Sequence, residues 1–129
     1  MPDVREELLE LTQRLLDSIA SGNWETYESL CDSELTCFEP ETKGHLVEGL
    51  EFHRFYFTNS HGKSVRADTM VEPRVELLGE DGATVCYVRL VQKKDADGRD
   101  VTVRFQETRV WKRTSGGWKH VHFHRSSED

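Results

Sequence analysis

Six side chains combine reactive types with a spacing that gathers them. From Val101 onward the alternate residues Val101, Val103, Phe105, Glu107, Arg109 and Trp111 fall on one face of a strand, so Glu107 and Arg109 share its apolar side. The preceding alternation of Val85, Tyr87, Arg89 and Val91 adds Arg89 to that layer, and Val121, Phe123 and Arg125 add a third arginine. Leaving an ion unpaired in such a layer costs on the order of several kcal/mol. Three arginines against one in-face glutamate predict either a buried network completed by other carboxylates or a surplus that takes an anionic ligand. Guanidinium groups bind carboxylates bidentately, so a small carboxylate is the ligand class this surplus fits. Tyr27 and His53 lie on the apolar stripes of two helices that pack over the same layer, and they are expected to close the pocket from the helical side.

Two other chemistries compete for these residues. Glu107 paired with Tyr87 or His53 is the one set that could act as a general base. Arg109, two residues along the same face, should hold Glu107 ionised and occupied, which weakens that role. Trp118, His120, His122 and His124 alternate on the last strand, a spacing at which two imidazoles can share a metal. No cysteine stands at ligand spacing beside them, and neither a metal nor a cofactor is expected.

The elements that must position these residues are legible from periodicity. Asp3 caps a helix with Glu6 three residues on, and Val4, Leu8, Leu11, Leu15 and Ile19 form its stripe up to Gly22. Asn23 caps a second, short helix carrying Trp24, Tyr27, Leu30 and Cys31. A short strand from Leu35 to Glu39 stops at Pro40. A third helix is expected over Leu46 to Phe57, with Leu46, Leu50, His53 and Phe57 on one stripe and its end marked by Asn59, Ser60 and Gly62. The period then changes to two. Strands are expected at Val65–Leu78, Thr84–Lys93, Val101–Arg113 and Trp118–Arg125, separated by glycine-containing turns. Helices followed by an antiparallel meander describe one α+β domain over residues 1–129, its N-terminal helices packed on one face of a strongly curved sheet.

Composition narrows the functional classes. The 129 residues carry a net charge of −7, which argues against nucleic-acid binding. Residues 1–60 hold 13 acidic and 4 basic side chains, whereas 61–129 hold 11 and 13, an asymmetry that suits head-to-tail contact between copies. No apolar run approaches the ~20 residues of a membrane span, and the first residues lack a signal-peptide pattern. The odd count of three cysteines argues against a disulfide framework. A cytoplasmic protein without membrane partners is expected.

The stretches Cys37-Phe38-Glu39-Pro40-Glu41, Leu46 to Phe57 (LVEGLEFHRFYF), Glu107-Thr108-Arg109-Val110-Trp111 and Val121 to Ser126 (VHFHRS) resemble the association, or hub, domain of calcium/calmodulin-dependent protein kinase II. That family has the cone-shaped nuclear transport factor two-like fold. The resemblance runs from about Val4 to Ser127. It implies a non-catalytic oligomerisation module, in that family two stacked rings of twelve or fourteen copies that gather kinase domains, with an arginine-lined pocket for small carboxylates. By residue match Tyr27, His53, Arg89, Arg109 and Arg125 occupy pocket positions. The segment Thr58–Arg66 departs from the animal pattern: it is shorter and lacks a Leu-Trp pair and an arginine, which implies weaker, millimolar ligand binding. The chain holds no glycine-rich phosphate loop and no HRD or DFG segment, so no kinase activity is expected of it. Cone folds also host isomerases, dehydratases and epoxide hydrolases, and a small-molecule enzyme of that kind is the alternative.

Overall fold

The computed structural model describes residues 3–59 and 66–127. Helix α1 spans Val4–Ser21, capped by Asp3, whose carboxylate accepts from the Arg5 N–H. At its other end Gly22 adopts φ 70° and donates to the Ile19 carbonyl, while the Asn23 N–H reaches the Ser18 carbonyl at 2.8 Å. This is a Schellman stop, and only glycine enters its left-handed position without strain. Leu8, Leu15 and Leu16 are fully buried, as the stripe requires. Helix α2 follows at once, Trp24–Leu30, with the Asn23 side chain accepting from the Thr26 N–H.

Strand β1, Cys31–Phe38, begins with no linking residue after α2 and is longer than the periodicity indicated. A single 3-10 turn, Pro40–Thr42, separates it from the two-residue strand β2, Val47–Glu48, which pairs antiparallel with β1. Helix α3 is Glu51–Asn59, so the expected helical start at Leu46 does not form. Gly49 sits at φ 86° and donates to the Leu35 carbonyl at 2.7 Å, which commits Leu46–Leu50 to the sheet edge. Leu46 is consequently half exposed. The helix-ending Ser60 and Gly62, the strand start at Val65 and most of the Thr58–Arg66 segment lie outside the described residues.

Strands β3 (Arg66–Leu77), β4 (Gly82–Lys94), β5 (Asp100–Thr114) and β6 (Gly117–Ser127) form the expected meander. The sheet order is β2-β1-β6-β5-β4-β3. The β1–β6 pairing is parallel, with Cys37 opposite Phe123, so the sheet is mostly rather than wholly antiparallel. Two irregularities bend it. In β3 the register shifts between Val71 and Arg74, where Glu72 takes φ 49°. In β6 Trp111 faces His120 but Val110 faces His122, leaving Val121 as a bulge. The helices cover one face, and Leu8, Leu15, Leu16, Leu30, Leu35, Val85, Trp111 and Phe123 build the core between them and the sheet. No helix among the described residues is long and apolar enough to cross a membrane.

Candidate functional site

The inner face of β4 and β5 carries the charged layer that the alternation predicts. Ala83, Val85, Tyr87, Arg89 and Val91 are buried on β4, and Glu107, Arg109 and Trp111 on β5, in strict alternation. Direct pairing of Tyr87 with Glu107 and of Val85 with Arg109 sets these polar groups side by side. The Tyr87 hydroxyl donates to Glu107 Oε1 at 2.5 Å, and Arg109 Nη2 donates to the same oxygen at 3.0 Å. Arg89 Nη1 reaches Glu107 Oε2 at 2.8 Å. Burial alone would raise the Glu107 carboxyl, but the flanking Arg109 and Arg89 and the Tyr87 hydrogen bond outweigh it and hold the group down at about 2.

The positive surplus expected of three arginines is not present, because non-local carboxylates reach the layer. Asp68, from β3, accepts from Arg89 Nη2 at 2.6 Å and from Arg66 Nε at 2.7 Å. Arg125 Nη2 contacts Glu39 Oε1 at 3.0 Å and Glu41 Oε2 at 2.6 Å, both delivered by the turn that follows β1. Each arginine is therefore ion-paired. Aromatic faces complete their surroundings, with the Arg109 guanidinium 4.5 Å from the centre of the Phe123 ring and that of Arg125 4.6 Å from Phe105.

Above this layer opens a cleft of about 410 Å³. Tyr27, His53, Arg89, Arg109 and Arg125 line it, so five of the six predicted side chains converge on one cavity. Glu107 is not on its wall and lies beneath the two arginines it pairs. On the helical side the rings of Tyr27 and His53 are 6.0 Å apart, and Phe57 packs on Tyr27. Burial and the nearby Arg109 cation push the His53 imidazole down to about 4, so it is neutral near pH 7. Its Nε2 faces Cys37 Sγ at 3.5 Å, and Nδ1 faces Glu39 Oε2 at 3.5 Å.

The histidine stripe of the last strand is divided by the Val121 bulge. His120 is fully buried on the inner face with Trp118, whereas His122 bonds Thr36 Oγ1 at 2.7 Å and His124 is exposed. No single face holds all three. Sequence reasoning missed Asp68, Glu39, Glu41 and Arg66 as members of the charged layer, and also Cys37. Asp68 and Arg66 stand two apart at the start of a strand, the one local sign that this edge carries paired charge.

Comparison with known proteins agrees with this architecture. Residues 4–129 match the family model for the calcium/calmodulin dependent protein kinase II association domain. The chain is 46% identical over 124 residues to the rabbit (Oryctolagus cuniculus) type II kinase delta subunit and 47% identical to the Caenorhabditis elegans kinase, covering 95% and 96% of this chain but only 23% and 17% of theirs. Among solved structures it is similar to a hub homology domain from Chlamydomonas reinhardtii, with 48% identity, a TM-score of 0.93 and coverage of 98% of this chain and 100% of that one. The association domain of the C. elegans kinase gives 47% identity, a TM-score of 0.90 and 95% coverage of both chains. A nuclear transport factor 2-like protein from Cytophaga hutchinsonii, 20% identical with a TM-score of 0.80 and coverage of 98% and 100%, shares the fold. Matched along nearly its whole length in both sequence and backbone, the chain belongs to the calcium/calmodulin-dependent protein kinase II association domain family.

Proposed function

We propose that this chain is a non-catalytic oligomerisation hub that assembles into a two-ring homo-oligomer and gathers attached or partner kinase subunits; its solved relatives are named as hub or association domains. The observation that carries the non-catalytic reading is the condition of Glu107. A carboxylate serving as general base in such a cavity works best with a raised pKa and a free lone pair facing the space. Glu107 has neither: both oxygens are taken by Arg89, Arg109 and Tyr87, and its pKa is depressed. Self-association draws support from Leu46, Phe55, Tyr56 and Leu78, large apolar side chains that a single copy leaves between 43% and 60% exposed. Native mass spectrometry tests the assembly: a closed species of about a dozen or more copies is expected, and a stable monomer or plain dimer at micromolar concentration overturns it.

The cleft of this hub is read as a low-affinity site for a small carboxylate. Arg125 is its contact, because Glu41, the partner it would exchange, belongs to a surface turn and keeps 39% of its side chain exposed. Tyr27 and His53 close the other side. An acid entering the cleft competes with an internal carboxylate, which supports millimolar rather than micromolar binding.

A further inference from the structure

Where β1 runs into the Pro40 turn, Cys37 and Glu39 lie two residues apart, and α3 lowers His53 onto both. Cys37 Sγ is 3.5 Å from His53 Nε2 and 3.5 Å from Glu39 Oε2, and one ligating atom of each residue lies within 4.8 Å of the other two. A tetrahedral centre with a metal–sulfur bond of about 2.3 Å and metal–nitrogen or metal–oxygen bonds of about 2.0–2.1 Å separates sulfur from its neighbouring ligands by about 3.6 Å. Both sulfur edges of the trio therefore already have ligating length. The imidazole meets Glu39 through Nδ1, at 3.5 Å, and Cys37 through Nε2, so ligation of a shared ion by one ring nitrogen requires the ring to reorient.

The surroundings fit a cation of a particular class. Cys37 is fully buried and His53 is 7% exposed, so the donors are held in a packed shell. Arg125 Nη2 occupies Glu39 Oε1 and leaves Oε2 directed at the trio, the kind of outer contact that orients a ligating carboxylate. Arg109 and Arg125 stand nearby, each ion-paired to protein carboxylates. A divalent ion held by a thiolate and by a carboxylate already charge-paired to Arg125 forms a neutral centre, and release of the thiol proton to solvent leaves the site one positive charge up on binding. A thiolate and an imidazole select borderline-soft ions over calcium or magnesium. Glu39 and His53 also line the cleft, so a fourth coordination position faces that space.

We propose that Cys37, Glu39 and His53 form a zinc-class divalent metal site with three protein ligands and its fourth position open to the cleft. The site does not depend on the oligomeric reading. Cys31 and His120, also 3.5 Å apart, supply an internal comparison, since no third His, Cys, Asp or Glu joins that pair among the described residues.

Chelator-treated protein titrated with Co²⁺ alone tests the proposal. One ion per chain is expected, with a sulfur-to-cobalt charge-transfer band and the intense visible bands of tetrahedral coordination, both abolished by added Zn²⁺. Cys37→Ala should remove the charge-transfer band and weaken binding by about 100-fold or more, and His53→Gln or Glu39→Gln by about 10-fold or more. Cys31→Ala and Cys86→Ala should leave both unchanged. A folded Cys37→Ala protein with the wild-type cobalt spectrum overturns the site, as does wild-type protein without a thiolate band. Should Cys37→Ala fail to fold, His53→Gln and Glu39→Gln decide: folded variants that both bind Co²⁺ with wild-type affinity and spectrum overturn the proposal.

Discussion

Glu107 accepts from a tyrosine and two arginines at once while 3% exposed, and the consequence of removing its charge can be stated. Glu107→Gln keeps the volume but leaves Arg89 and Arg109 short of a counter-charge in a buried layer, and should lower unfolding free energy by about 3–5 kcal/mol in chemical denaturation. The same groups set the response to acid. His53 titrates at about 4 in the fold against an ordinary 6.5, so the unfolded chain binds the proton first. Its contribution is present above pH 6.5 and is lost as pH falls toward 4, with burial holding His120 down in the same direction. Glu107, depressed from 4.5 to about 2, adds a second loss over that lower window. Stability should thus be flat near neutrality and fall in two stages, and His53→Gln should shrink the upper stage to the part His120 contributes in a pH series of thermal unfolding. At the mouth of the cleft, Glu41→Gln frees Arg125 from its exchangeable partner. Calorimetry with a short carboxylate should show affinity rising by about 10-fold, while Arg125→Ala should abolish binding.

Gly49 decides where α3 begins, and with it the height at which His53 enters the cleft. An alanine Cβ there would meet nothing closer than the Ser33 carbonyl at 3.9 Å, so space is not the obstacle. The backbone is: φ 86° strains any L side chain, and Gly49→Ala should cost about 1–2 kcal/mol and loosen the β1–β2 pairing, visible as faster exchange of the position-49 amide that bonds the Leu35 carbonyl. This glycine also marks the boundary of what periodicity reveals. Leu46, Leu50, His53 and Phe57 satisfy a helical stripe, yet the chain is helical only after the residue whose conformation no stripe encodes. On β4 and β5 the alternation of Tyr87, Arg89, Glu107 and Arg109 was fully legible, because unbroken antiparallel strands keep odd and even residues on fixed faces. On β6 it was legible only beyond Val121, since a bulge reverses the facing of everything before it, and Trp118 and His120 join the core instead of a histidine stripe. Asp68, Glu39 and Glu41 were illegible as partners of the arginines for another reason: they arrive from β3 and from the turn after β1, and charge pairing across such distances leaves no mark on local sequence.

The whole molecule presents an apolar surface that its own core does not use. Phe55 and Tyr56 lie next to each other on α3, 60% and 43% exposed, with Tyr56 also at the edge of the cleft that His53 lines. On the hub reading, Phe55→Asp should lower the mass of the assembled species in sedimentation equilibrium while leaving far-ultraviolet dichroism unchanged, since the side chain is 60% exposed in one copy. Loss of secondary structure together with mass would instead place Phe55 in the monomer's stability.

The parallel contact between β1 and β6 has a meaning in time as well as in space. Thr36 meets His122 across 86 positions of chain, and the edge strand β2 hangs on β1 in turn. The helices, β1 and β2 all leave the ribosome before the meander, but the strand against which β1 docks is the last of the sheet to be made. Local hairpins β3–β4, β4–β5 and β5–β6 can zip as they emerge, whereas the loop closed by β1 is the longest and the slowest to form. Until that closure Leu35 and Cys37 lack the β6 strand that pairs with β1, so the helices and β1 wait longest for their final packing.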